Sequence, residues 1–208
     1  MPPDTPPTML SNTLRRFSAL APNVQLEILE MTTSEQLPLL REGSLDIGIV
    51  RHPSETIGLE SSVRWAAKLG VWLSADHPLA VHAEIRLRDL NGSQLVTFPR
   101  SWAPDVYDQI MLVSRTEGFS PSSIRHARHP GVISGLLEAG LGVHFNVESA
   151  RVSSPGVVFR QLLGSSLAWQ SSVVWNSRNR TEVTEAFLRA VFDSLEPQEE
   201  QIIELSAL

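Results

Sequence analysis

The chain has 208 residues, 42% of them hydrophobic and 19% charged, which is room for one large domain or two small lobes of ordinary soluble composition. It contains no cysteine, which excludes disulfides, thiolate metal sites and cysteine nucleophiles. Sixteen arginines and one lysine, Lys68, are scattered through a chain of net charge −6. That balance leaves no footprint for a phosphate backbone and suits specific carboxylate contacts instead.

The opening MPPDTPPTML has neither the basic segment nor the apolar run of a signal peptide. The longest apolar region, Gly131 to Val147, is interrupted by Glu138 and by glycines and is too short to span a bilayer. The expectation is an unexported, cytoplasmic protein without a membrane segment. Residues 1–7, with four prolines, are expected to be disordered.

In chain order, Met9 to Leu20 places Leu10, Leu14, Phe17 and Leu20 at the spacing of one helix face, and Ala21-Pro22 stops it. Val24, Leu26 and Ile28 alternate with Gln25 and Glu27, which predicts a strand. Thr33 or Ser34 then caps a second helix that stops at Gly43. Asp46 to Val50 (DIGIV) suits a buried parallel strand. Helix, strand, helix, strand is the signature of an α/β layer.

Further on, 62–67 and 69–74 read as extended, 87–90 as a helical turn and 94–98 as a strand ending at Pro99. A helix is predicted over 105–118, a strand over 123–127 and a helix over 131–139 closed by Gly140. Strands follow over 141–145, 157–162 and 169–175. The last helix, 181–195, places Val183, Ala186, Phe187, Ala190 and Val191 on one side.

Several segments carry a resemblance: LRRFSALAPNVQLEI (14–28), LPLLREGSLDIGIVR (37–51), ADHPLA (75–80), LRDLNGSQLVTF (87–98), LLEAGLGV (136–143) and AFLRAVFDSL (186–195). In this order and spacing they resemble the effector-binding domain of LysR-type transcriptional regulators. LEILEMTTSEQ (26–36) and the arginine closing DIGIVR further resemble the branch that controls aromatic-compound catabolism.

The resemblance implies an α/β fold with two lobes, like the type 2 periplasmic binding proteins, its mixed sheets flanked by helices. Lobe one would comprise 8–68 plus 170–195 and lobe two 71–166, with 196–208 as a tail and a ligand held between the lobes. It implies a small-molecule effector, an anion such as an aromatic acid or dicarboxylate, no cofactor, and a homodimer or homotetramer. DNA would be bound only through an N-terminal winged helix-turn-helix, absent from these residues. The first strand of lobe one is also missing. Either the chain is a piece of a longer protein, or another segment such as Gln201 to Leu208 (QIIELSAL) fills the gap.

Candidate ligand contacts follow, each beside a plainer role. Thr32, Thr33 and Ser34 sit where a strand meets a helix, and exposed amides there favour an anion; alternatively they only cap the helix. Arg51 ends DIGIV, where open α/β sheets bind ligands, and its guanidinium suits a carboxylate; alternatively it pairs with Glu55 or water. Pro99, Arg100, Ser101 and Trp102, with Pro104 and Val106 at the next helix, match the family's second cleft wall. Ser101 would donate a hydrogen bond and Trp102 would stack on a planar ligand, or the tryptophan packs on its own lobe. Asn146 and Val147 stand where the family usually has a proline.

His144 is read as packing locally and His52 as solvated. His126 and His129 have a His-x-x-His spacing with no further ligand near in sequence, so no metal is expected. Gly140-Leu141-Gly142 follows a helix and is a C-cap rather than a nucleotide loop. Two other functions fit the same architecture. A transported-solute receptor needs an export signal or anchor cysteine, and an enzyme needs a nucleophile–base constellation; neither is seen.

Overall fold

A computed structural model describes residues 1–150 and 154–195, excluding the side chains of residues 63 and 64. The suggested gap-filling segment Gln201 to Leu208 lies outside the described residues. The helices are α1 (Pro7–Leu20), α2 (Thr33–Glu42), α3 (Pro104–Thr116), α4 (Pro130–Glu138) and α5 (Glu182–Phe192). The strands are β1 (Ile47–His52), β2 (Glu60–Lys68), β3 (Gly70–Ser74), β4 (Glu84–Ile85), β5 (Leu95–Thr97), β6 (Ile124–His126), β7 (His144–Asn146), β8 (Val157–Leu162) and β9 (Ala168–Trp175). The chain divides into two compact units: Met1–Ala67 with the chain from Gln170, and Lys68–Trp169.

In the first unit the sheet order is β1-β9-β2, and β1 is not the parallel strand expected: it runs antiparallel to β9, its one neighbour in this order, with Ile47 opposite Trp175 and Arg51 opposite Ser171, because an apolar run reports burial and not strand direction. The period of two sends Ile49, Val173 and Trp175 to one face, where they pack with Trp65 and with Leu188 and Val191 of α5. Val50 and Val174 go to the other face and meet Leu40 of α2. Residues 47–50 are apolar because both faces of the strand are covered there. A Cβ added at Gly48 would lie 2.8 Å from Gln36 Oε1 and 2.9 Å from Leu40 Cδ1, so the ends of these two buried side chains would have to shift. The buried positions of α5 are Thr184, Leu188, Ala190 and Val191, while Val183 is 39% exposed. The apolar stripe expected to include Val183 is therefore rotated, since Val183 borders a groove instead of the core.

That groove corrects the strand expected at 24–29. The segment forms no strand and joins no ladder; with Leu45–Ile49, α1 and α5 it lines a cavity of about 570 Å³. Its nearest backbone partner is Met1, whose amine donates to Leu29 O at 2.7 Å and whose carbonyl accepts from Met31 N at 2.9 Å. Alternating apolar residues favour a strand only where a neighbour supplies hydrogen bonds. The disorder expected over residues 1–7 is also not what is seen. Met1 is tied down as above, Thr5 N closes a turn onto Pro2 O at 3.1 Å, and Pro7 begins α1, where a proline's missing donor costs nothing.

The second unit holds a four-stranded sheet in the order β4-β8-β3-β7 and a parallel pair, β5-β6. Trp72, Val96, Ala127, Leu137 and Val157 form one buried cluster in it, with Phe159 packed against them. The strand expected over 141–145 is shorter and later, at 144–146, because Gly142 has a φ of 142° and lies against Gln94 O. An isolated parallel bridge, Leu95 to Val143, precedes it.

Candidate functional site

In the first unit the cap of α2 is Thr32, one residue earlier than expected, because Glu35 completes a capping box. Thr32 Oγ1 accepts from Glu35 N at 3.3 Å, while Glu35 Oε2 accepts from Thr32 N and from Thr32 Oγ1, each at 2.8 Å. Thr33 Oγ1 accepts from Arg51 N at 3.1 Å. Both threonines are buried and Ser34 is half-buried. The hydroxyls of Thr32 and Thr33 are thus already engaged within the chain, and a carboxylate of the chain itself sits at this helix N-terminus.

Arg51 is the fifth residue of β1 rather than a residue beyond it, and its side chain is only 12% exposed. Nη1 donates to Ser171 Oγ of the neighbouring β9 at 2.7 Å, and Nη2 donates to Asp4 Oδ2 at 3.0 Å. The alternative partner Glu55 is not used; its carbonyl accepts from Arg41 at 2.9 Å. His52, expected to be solvated, bonds through Nε2 to Ser172 Oγ at 2.7 Å. Asp4, Ser171 and Ser172 escaped sequence reasoning. Asp4 was hidden inside a proline run, and only the antiparallel register brings Ser171 opposite Arg51.

In the second unit, Pro99 caps a short 3-10 turn, Arg100–Trp102, and Trp102 N donates to Pro99 O at 3.0 Å. Arg100 makes a two-toothed contact with Asp108, Nε to Oδ1 at 2.8 Å and Nη2 to Oδ2 at 2.5 Å, on the open surface. This contact holds the Asp108 carboxyl below its ordinary range and raises the guanidinium. Ser101 is exposed, Trp102 is half-buried, and Pro104 begins α3. Val106, 3% exposed, belongs with Tyr107 and Ile110 to the packed face of that helix. Phe98 meets Tyr107 edge-on at 5.8 Å between ring centroids and lies 5.9 Å from Trp169.

Asn146 ends β7 and anchors a buried chain of hydrogen bonds. Its Oδ1 accepts from Trp169 Nε1 at 2.9 Å and from Val147 N at 2.8 Å. Its Nδ2 lies 3.4 Å from His144 Nε2, and His144 Nδ1 lies 2.9 Å from Val96 O. A carbonyl can only accept, so the proton of His144 sits on Nδ1 and Nε2 accepts from the amide. Val147 O accepts from Trp72 Nε1 at 3.2 Å. Asn146 and Val147 are each 7% exposed. The absent family proline is thus replaced by an asparagine-centred knot.

No group of three or more metal-ligating side chains occurs among the described residues. His126 faces the Tyr107 hydroxyl at 3.4 Å, and His129 caps α4 by its backbone. No helix among the described residues is long and apolar enough to cross a membrane.

The sequence model of the LysR substrate binding domain matches residues 1–196. The regulator AlsR of Bacillus subtilis (strain 168) is 27% identical over 138 residues, 66% of this chain and 46% of AlsR. The Hca operon activator HcaR of Escherichia coli (strain K12) is 25% identical over 194 residues, 93% of this chain and 66% of HcaR. The solved effector-binding domain of BenM with its effector benzoate superposes with a TM-score of 0.78 at 21% identity, covering 89% of this chain and 85% of that one. The chain spans about half to two thirds of the length of these curated relatives.

Proposed function

Because the chain belongs to the LysR substrate-binding domain family, we propose that it is the sensing half of a transcription regulator and that its effector is a small carboxylate. Arg51 carries this reading. A guanidinium that is mostly buried, fixed by Ser171 at 2.7 Å and already holding a carboxylate is a built anion seat at the carboxyl end of its strand. Thr33, which braces the Arg51 backbone, and Ser34 beside it complete this wall. The second unit, taken by itself, offers Ser101 as a donor and the half-buried Trp102 as a flat ring suited to a planar acid. The benzoate of BenM points to the aromatic class of acids.

In the whole protein, effector binding would shift the geometry of a dimer or tetramer and so the placement of a winged helix-turn-helix outside these 208 residues. The protein would act in the cytoplasm and carry out no bond-making step. The test is thermal unfolding of the chain against a panel of aromatic and dicarboxylic acids with the matching neutral amides. A ligand at a hundred times its Kd stabilises the native state by about 2.7 kcal/mol. A folded protein that no acid in the panel stabilises refutes the reading.

A further inference from the structure

Resting on that reading of Arg51, we infer that Asp4 is a built-in competitor for the effector's carboxylate. In the free chain the seat is taken by the protein's own acid, and a ligand enters by exchanging with it. The contact is not a chance meeting of a loose tail. Asp4 sits in a turn closed by Thr5, whose amide and hydroxyl both donate to Pro2 O, at 3.1 and 2.7 Å. The Met1 carbonyl ties one end of the turn by accepting from Met31 N at 2.9 Å, and Pro7 fixes the other as the first residue of α1. Pro2, Pro3 and Pro6 restrict the backbone between those anchors. The carboxylate is therefore delivered to Arg51 at little entropic cost.

The contact is also limited in a way that lets a ligand win. One Asp4 oxygen meets one Arg51 nitrogen, Nη2 at 3.0 Å, and Asp4 stays 30% exposed. Ser171 holds Nη1, so the guanidinium keeps its orientation while Asp4 leaves. Exchange of one carboxylate for another leaves the charge on Arg51 balanced throughout, which avoids the cost of a mostly buried cation with no counter-charge. A neutral molecule offers no such exchange. Asp4 thus lowers the affinity of carboxylates for the seat by competing with them, while a molecule that brings no carboxylate gains nothing from Arg51 whether or not Asp4 is there.

The test compares wild type, Asp4→Asn and Asp4→Asn/Arg51→Gln by titration with benzoate and benzamide, following the Arg51 side-chain N–H resonance where present and binding heat in all. Once emptied, the seat accepts any small carboxylate, so benzoate suffices as the probe. A partly exposed pair is worth up to about 1 kcal/mol, so the expected result is about fivefold tighter benzoate binding in Asp4→Asn. Benzamide binding should be unchanged, and the gain should vanish in the double variant. Asp4→Ala serves as a second variant, and thermal unfolding checks that each variant folds. Equal or weaker benzoate binding in Asp4→Asn, or no response of Arg51 to benzoate in that variant, overturns the inference. If those results come with stabilisation of the wild type by another acid, the proposed function survives; if no acid in the wider panel stabilises wild type or Asp4→Asn, it falls too.

Discussion

Replacing Asn146 with leucine tests whether this residue is a ligand contact or a structural knot. The side chains share the same branched four-atom skeleton, so the change leaves no cavity; it removes the acceptor Oδ1, on which Trp169 Nε1 and Val147 N both converge at 2.9 and 2.8 Å, and the donor Nδ2, 3.4 Å from His144 Nε2. The site is 7% exposed, so water does not readily replace the lost partner. Losing the acceptor of a buried donor costs about 1–3 kcal/mol, and two donors are affected. The leucine recovers roughly 1–2 kcal/mol by burying apolar surface. The expected net loss is about 2–4 kcal/mol, and a 3 kcal/mol loss lowers Tm by about 6–12 °C in a chain of this size.

Urea unfolding followed by tryptophan fluorescence measures the loss, and Trp169→Phe closes a double-mutant cycle. That variant deletes one of the two donors, so the pair of substitutions should cost about 1 kcal/mol less than the sum of the singles. A loss below about 1 kcal/mol for Asn146→Leu, or strict additivity in the cycle, refutes the account. If the loss is as large as expected, any effect of Asn146 on effector affinity acts through the position of Val147 and its neighbours, because its carbonyl oxygen already accepts two bonds.

Gly70→Ala should leave the protein insoluble or cost about 3 kcal/mol or more: the new Cβ would lie 2.2 Å from Phe159 Cζ and 2.6 Å from Arg160 O, so β3 and β8 must part. Gly131→Ala, with nothing within 4 Å of its Cβ, should stabilise by about 0.4–1 kcal/mol in the same unfolding assay. Burial alone would raise the Glu117 carboxyl, but the hydroxyls of Ser165 and Ser166 and the amide of Ser166 hold it below its ordinary 4.5. Its contribution is therefore full above pH 4.5 and lost as pH falls through the lowered folded value, so Glu117→Gln should flatten the fall of Tm over that range. Backbone amides of Gln25 to Glu30, which have no backbone acceptor among the described residues, should exchange with solvent far faster than those of Val173 and Val174 in β9. Equal protection of the two segments would show that the groove beside 24–29 is filled in solution.

What the sequence disclosed, and what it withheld, divides along a physical line. Periodicity and caps are local, so the helices at 7–20, 104–116 and 130–138 and the strand in DIGIV were legible to within a few residues. Even there, the cap of α2 was displaced by one, because the capping box depends on Glu35, three residues beyond Thr32. The strand expected from Val24, Leu26 and Ile28 failed for a different reason. A strand is a property of a pair, and its hydrogen bonds come from a neighbour that no pattern within the segment can supply.

The site divides in the same way. Arg51 could be singled out because a strand's carboxyl end and a guanidinium are both visible in DIGIVR, yet what it does is decided by Asp4, 47 residues away, and Ser171, 120 residues away. Asn146 likewise stood out by its place after a strand, and its role is fixed by Trp169, 23 residues on. In each case the residue type announced a capacity, to bind an anion or to accept a bond, and the fold determined whether the capacity is spent inside the protein or held for a ligand. The two cases come out differently. The oxygen of Asn146 is spent on buried donors, whereas the carboxylate that meets Arg51 belongs to a part-exposed Asp4, which is why we propose that it exchanges with a ligand. That difference is why the proposed anion seat is placed at Arg51 and not at the Asn146 oxygen.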